Sequence, residues 1–498
     1  MVRLLIILAS SMLTSCAVGH GLTGEPVNIA PELPAAPLEF QAKTAAEAPL
    51  LANWLEQFND PQMIEVVDEA LNANPNLLSS EARVRAAKQN ARAVLGRSLP
   101  SINYSNQDSF STNFFATTQV NQITGENVVI TGRVTQPQFD QRFNFNWELD
   151  LWGRVRANNQ AAKAAYIATQ ADLDAAQLSI GGQAAIGWIN LKTALAQENI
   201  SRATVEARQR VLDLTERRFG RGLSTALEVR TARSQLATSE AQVAAQTRTR
   251  QEAARGLEVL LGRYPAAAIE TDAGLPPLGE LQTPGTPANL LVRRPDVAAA
   301  EARLEEAGLR AEVARLAIFP TISPTASVSN TTSIRFADIF DPQRISASIA
   351  ASITQSVWAG GAIKAEKRAA LANAEALASD YVGTVLTAWQ EVENALDADR
   401  LLAEQERAQK IALDEAILAE ELATRQYQNG LVNIFNLLNA QTTRLTSEAS
   451  LVQAQSARII NRVNYHIALG GGLPFEDELL ANPPSQSQST STSEGSAP

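Results

Sequence analysis

The chain holds one cysteine, Cys16, and two histidines, His20 and His466. One thiol cannot close an internal disulfide or supply a thiolate zinc cluster. The histidines stand far apart, and His466 lies in a helical stretch where it reads as a packed residue rather than a ligand. No Gly-Lys-Ser/Thr loop is present to cradle a phosphate. We therefore expect no enzyme activity, no metal and no cofactor, so energy for any transport must come from a partner. The chemistry that Cys16 invites is lipidation. Residues 1–15 carry one basic residue, Arg3, then the apolar run Leu4-Leu5-Ile6-Ile7-Leu8 and small residues before a cleavage point, the pattern of an export signal. Leu13-Thr14-Ser15-Cys16 resembles a bacterial lipobox, in which the cysteine becomes the lipidated first residue of the mature chain. An ordinary signal peptide with an incidental cysteine is the alternative. Ala17, where an Asp would resemble an inner-membrane retention signal, leans towards the outer membrane.

The remainder must be built from elements that position no catalytic group. Of 498 residues, 45% are hydrophobic but only 5% aromatic, a balance that favours long helices over a compact enzyme core. A net charge of -11 lacks the basic stripe of a nucleic-acid surface. No stretch after the signal reaches the roughly 18 apolar residues of a spanning helix, so any membrane crossing must use strands closed into a barrel.

The chain is written twice. At an offset of 220, Pro75 matches Pro295, Glu81-Ala82-Arg83 matches Glu301-Ala302-Arg303, and Pro100 matches Pro320. At an offset of 208, Phe219 matches Tyr427, Gly222-Leu223 matches Gly430-Leu431, and Thr238-Ser239-Glu240-Ala241 matches Thr446-Ser447-Glu448-Ala449. The organisation reads as a lipoprotein signal peptide at 1–15 and a lipid-anchored segment at 16–60. A first repeat at 61–262 has strands at about 101–115 and 141–152, and a Pro/Gly-rich connector occupies 263–288. A second repeat at 289–470 has strands at about 321–330 and 344–357, and a C-terminal segment with a disordered tail closes the chain at 471–498. Each repeat reads helix, strand, strand, long helix, return helix. The opening helices are expected at 61–97 and 289–319, and the long ones at 154–219 and 362–427. Only Gly181, Gly182 and Gly187 interrupt the first long helix.

The strands carry the sharpest period. Phe143, Phe145, Trp147, Leu149 and Leu151 alternate with Arg142, Asn144, Asn146, Glu148 and Asp150. Ile345, Ala347, Ile349, Ala351 and Ile353 alternate with Ser346, Ser348, Ser352 and Thr354. Such alternation fits a tilted barrel strand of roughly ten residues or a soluble sandwich strand with one wet face, and the export signal favours the membrane. Four strands cannot close a barrel, since single-chain barrels start at about eight, so the protein must oligomerise if its strands span.

These residues resemble the TolC/OprM-type outer-membrane efflux family, in its lipoprotein, NodT-like branch. Trp54, Phe58, Asp60-Pro61 and Ala70-Leu71-Asn72 are similar to its opening helix. Trp147-Glu148-Leu149-Asp150-Leu151-Trp152-Gly153-Arg154 resembles its strand-to-helix junction. Arg293-Arg294-Pro295-Asp296-Val297 resembles the start of its second half, and Phe319-Pro320-Thr321-Ile322 a helix-to-strand turn. The resemblance implies a mainly α protein with a membrane β-barrel portion. In it, a homotrimer forms a barrel of roughly 12 strands, continued by a long α-helical barrel. It also implies membrane lipids, a periplasmic adaptor (membrane fusion) protein and an inner-membrane pump of the RND type as partners, with no nucleic acid. The adaptor would dock on helix tips matching Gly222, Leu223, Ser224, Gly430, Leu431 and Val432. Some relatives ring the closed pore with acidic residues, and here the matching positions are Asn436 and Asn439. Glu228, opposite Asn436 by the 208 offset, is the acidic candidate, and Tyr427 is expected near the narrowest point. A type I protein secretion channel and a non-channel structural periplasmic lipoprotein remain alternatives.

Overall fold

The computed structural model describes residues 54–123, 125–281, 285–332 and 335–471, with isolated residues between 27 and 42. Cys16, the signal peptide and the tail from 472 lie outside the described residues. The elements run α1 Pro61–Ala73, α2 Pro75–Arg97, β1 Ser101–Val120, β2 Asn127–Asn146, α3 Arg154–Gly220 and α4 Ala226–Leu260. They continue with α5 Pro287–Arg293, α6 Pro295–Leu316, β3 Thr321–Thr332, β4 Ile345–Thr354, α7 Ala362–Gln428 and α8 Ile434–Ala468. Among the described residues, no helix is long and apolar enough to cross a membrane.

The chain divides into two compact units. One contains Arg85–Ala168 and Glu301–Asp380, and the other Glu32–Val84, Thr169–Ala300 and the chain from Tyr381. The first unit carries a four-stranded antiparallel sheet in the order β1-β2-β3-β4. Its register aligns the alternation across all four strands. Ile102 faces Phe145, Phe145 faces Ala326, and Ala326 faces Ile349. The adjacent row runs Asn103, Asn144, Ser327, Ser348. Along these rows one face is therefore apolar and the other polar. On the polar face, the Ser327 and Ser348 hydroxyls lie 2.9 Å apart and those of Ser329 and Ser346 3.0 Å apart, within hydrogen-bond distance.

The strand limits differ from the expectation. β1 reaches Val120 rather than 115, and β2 covers 127–146 rather than 141–152. β3 reaches Thr332, and β4 covers 345–354 rather than 344–357. Alternation continues past Asn146, but regular pairing does not. Trp147 N–H donates to Pro324 O at 3.2 Å, Leu149 keeps one bridge to Ile322, and Asp150 then accepts from Val155 and Arg156 N–H at the start of α3. A carboxylate at a helix start ends the strand. β3 pairs only with Phe139–Asn146 of β2, so the rest of the β1–β2 hairpin extends alone.

The opening helices also differ. Each expected single helix is two, broken at Asn74 and Arg294, which stand before Pro75 and Pro295 with ψ 123° and 120°. Proline forces its predecessor out of the helical region and offers no N–H. By contrast, α3 runs unbroken through Gly181, Gly182 and Gly187. A Cβ on Gly182 would meet Ile467 Cδ1 at 2.1 Å, and one on Gly187 would meet Leu257 Cδ1 at 3.2 Å. These glycines let neighbouring side chains approach closely.

The hairpins repeat element for element: α3 and α7 have 67 residues each, and α4 and α8 have 35. Trp54, Leu55 and Phe58 are buried, and Asp60 ties this segment to α3 by accepting from Trp188 Nε1 at 2.9 Å and pairing with Lys192 at 3.2 Å. His466 stacks on Trp54, with ring centroids 5.5 Å apart. Burial pushes its pKa down to about 3, helped by the Arg462 charge, so the ring is neutral at ordinary pH.

The return helices α4 and α8 both stop at a left-handed glycine, Gly262 with φ 69° and Gly470 with φ 82°. A Cβ would lie 2.7 Å from Ala73 O in the first case and 2.8 Å from Arg293 O in the second. Gly262→Ala and Gly470→Ala should each cost more than the ~1–2 kcal/mol of a left-handed alanine, because backbone must also move. Thermal unfolding of the detergent-solubilised protein should show a lowered midpoint for both. Gly220→Ala, at a helical position with open space, should leave it nearly unchanged.

Candidate docking tips, gate and membrane face

The two hairpin tips are built alike. After α3, Leu223 N–H donates to Arg218 O at 2.9 Å and Gly222 N–H to Phe219 O at 2.9 Å. After α7, Leu431 N–H donates to Gln426 O at 2.8 Å and Gly430 N–H to Tyr427 O at 3.1 Å. Both are Schellman stops, which need the positive φ that Gly222 and Gly430 supply at 73° and 75°. The motif turns the next residue outward: Leu223 is 62% exposed and Leu431 73%. The return helices start on equivalent caps. The Thr225 side chain accepts from Glu228 N–H, and the Asn433 side chain accepts from Asn436 N–H. Ser224 and Val432 are half-buried beside these caps.

The gate candidates separate. Asn436 and Asn439 are exposed on the first turns of α8. Glu228 completes a capping box, accepting from Ser224 Oγ and from Thr225 N–H at 3.2 Å, so its carboxylate is engaged at the start of α4. Tyr427 is fully buried rather than offered to solvent. Its hydroxyl lies 3.0 Å from that of Thr215, and the Arg218 guanidinium sits 4.9 Å from its ring centre. The ring packs within the tip.

Arg218 escaped the sequence reading. It donates to Tyr427 O at 2.9 Å, Gln428 O at 3.2 Å and Leu223 O at 3.3 Å, and so fastens one tip to the other. Its counterpart at the 208 offset is Gln426, so the repeat gave no signal. Leu227 and Phe435 were also missed. They are exposed on the first turns of the return helices, and the same offset pairs them.

In the other unit, the apolar face of the sheet is open. Ile102, Phe143, Ile349 and Ile353 are exposed, Ile349 to 89%. Phe110, Phe139, Phe336 and Phe340 form a chain of edge-on ring contacts, with centroids 5.4–6.2 Å apart. Trp147 and Trp358 are exposed near the helix-proximal ends of the strands. An apolar band between aromatic groups is the pattern of a strand surface in lipid. Among the described residues, no group of three His, Cys, Asp or Glu could hold a metal ion.

An exposed apolar sheet, twin hairpins and two glycine-stopped tips define a class of membrane duct protein. The chain belongs to the outer membrane efflux protein family, which matches residues 66–263 and 286–471. It is 28% identical over 446 residues to the pyoverdine export outer membrane protein OpmQ of Pseudomonas putida, covering 88% of this chain and 92% of that one. It is 29% identical to outer membrane protein OprJ of Pseudomonas aeruginosa, covering 84% and 86%. The solved structure of the outer-membrane channel OprN superposes with a TM-score of 0.80 at 26% identity, covering 90% of this chain and 99% of that chain.

The tips generate a test. Leu223→Asp and Leu431→Asp should abolish export in cells while leaving the yield of assembled protein unchanged, because each adds a charge to an exposed apolar contact without disturbing the glycine turn. Normal export by both variants would remove these leucines from the docking surface.

Proposed function

We propose that the chain is the outer-membrane duct of a tripartite efflux system. The sheet carries this reading: its exposed apolar face, polar opposite face and unpaired outer edges suit a shared barrel whose outside meets lipid and whose inside meets water. The relatives' names support it, since each is an outer membrane protein and OpmQ exports pyoverdine. A homotrimer would close the barrel, a periplasmic adaptor would engage the tips, and an inner-membrane pump of the RND type would supply the energy. The duct itself is passive and has no enzymatic step. The exported molecule belongs to a class of drugs or other small molecules. A lipid on Cys16 would add a second attachment to the outer membrane.

Single-channel recording in a planar bilayer tests the reading. Purified protein should give discrete conductance steps, and protein that inserts without conducting would favour a structural lipoprotein instead. Intact-mass measurement of the mature chain should find Cys16 as the first residue, carrying a diacylglyceryl group. Cys16→Ala should leave conductance intact, because the strands provide the main attachment.

The gate is resolved by the same recordings. Neutral amides at Asn436 and Asn439 lack the charge that holds a hard divalent cation. The channel should be weakly cation-selective and insensitive to submillimolar divalent ions. Asn436→Asp with Asn439→Asp should strengthen cation selectivity and create divalent block. Block of the unaltered channel would place an acidic ring elsewhere, with Glu228 the first candidate.

A further inference from the structure

Beside the strand ends, within the first unit, α2 and α3 border an open hollow of about 600 Å³. Ala91, Leu95, Trp147 and Val155 supply the apolar part of its lining, and the rest is largely polar or charged. Four cations stand around it: Lys88 and Arg92, one helical turn apart on α2, and Arg156 and Lys163, two turns apart on α3. Two acids also line it, and both are committed elsewhere. Glu148 pairs with Arg154, and Asp150 accepts the N–H groups of Val155 and Arg156 at 3.0 and 2.8 Å. The hollow thus holds an excess of positive charge over an apolar floor.

Its position identifies what fits there. Trp147 continues the row of Phe143 and Phe145, so the hollow adjoins the apolar face of the sheet. The fold does not require the two cations of α2. At the 220-residue offset set by Pro75 and Pro295, Lys88 becomes Gly308 and Arg92 becomes Glu312, which pairs with Arg315, yet α6 forms as α2 does. We propose that the hollow binds the anionic headgroup of a phospholipid, with its acyl chains lying along Phe143 and Phe145. A phosphate gains from several cations at once, and the tryptophan and leucine suit the glycerol and first methylenes. A free inorganic anion would have no use for that floor. The inference rests on the reading that the apolar face meets lipid.

Native mass spectrometry of the full-length oligomer, titrated with phosphatidylglycerol or phosphatidylethanolamine, tests it. The unaltered protein should prefer phosphatidylglycerol by at least about tenfold. The combined variant Lys88→Gln, Arg92→Gln, Arg156→Gln, Lys163→Gln should bind the two lipids nearly equally, with unchanged bilayer conductance. A control removing the same charge from the hairpins, Arg210→Gln, Arg230→Gln, Arg248→Gln, Arg255→Gln, should keep the preference. No preference in the unaltered protein, or its survival in the first variant, overturns the site. Displacement of the lipid by millimolar inorganic phosphate alone would also overturn it, by showing a free-anion site. So would protection of Lys88 and Lys163 from acylation in lipid-free oligomer, which would show that a second copy covers the hollow. Conductance without lipid preference would sink this proposal alone, whereas failure to insert at all would sink the lipid-facing reading beneath it.

Discussion

A sheet that presents an apolar face to lipid cannot leave its edges open. Every unpaired N–H or C=O in hydrocarbon costs several kcal/mol, with no water to take the bond. Among the described residues, β1 and β4 each have a single strand neighbour, and the face they border is apolar. The strands are therefore incomplete as a membrane structure until other strands meet both edges. That constraint accounts for the polar rows where all four strands pair. Asn103, Asn144, Ser327 and Ser348 form one row across all four strands, as the inner wall of a closed barrel requires. It also explains why exposed isoleucines that would be a liability on a soluble domain are tolerated here.

The helical unit obeys a different constraint, which is close approach. Ala184, Ala185 and Ala388 are completely buried, and Gly182 lies against Ile467. Small residues bring helices near enough for larger neighbours to interlock. Buried charges are then paired across helices. Arg462 reaches Asp399 at 3.1 Å, and Glu198 accepts from Arg250 at 2.6 Å and Thr247 at 2.8 Å. Such pairs add little net stability over apolar packing, but breaking one would leave a buried charge unmatched, so they fix which faces meet.

The repeats, the strand alternation and the glycine turns were legible in the sequence because each follows from local chemistry. Period two reports a two-faced strand, and Gly-Leu at both tips reports a left-handed stop. The ends of β2 were not legible. From Trp147 to Leu151 the alternation persists while pairing gives way, and only the capping role of Asp150 marks the change. The breaks at Asn74 and Arg294 were legible in principle, since each precedes a proline, but helical spacing masked them. Arg218 and Tyr427 were beyond reach, because their contact joins residues 209 apart in sequence and has no counterpart in the other repeat. Tyr427 was placed at a constriction by resemblance, and its burial shows that a tip tyrosine can serve packing first.

The two repeats also show which part of a duplicated contact is fixed. Gly262 lies on Ala73 O and Gly470 on Arg293 O, so the junction between opening helix and return helix is the same backbone contact twice. The next residue differs completely in type: Asn74 in one repeat, Arg294 in the other. Yet Asn74 Nδ2 donates to Leu260 O at 2.7 Å, and Arg294 Nη1 donates to Ala468 O at 2.9 Å. These acceptors are the final carbonyls of α4 and α8, which have no partner within their own helices. The unmet acceptor at a buried helix end is the physical demand, and an amide or a guanidinium can meet it. Arginine adds a charge that must itself be balanced, and Asp296 and Glu391 both stand 2.7 Å from it. Asparagine brings no charge to balance, and the first repeat reads Asn74-Pro75-Asn76 where the second has Arg294-Pro295-Asp296.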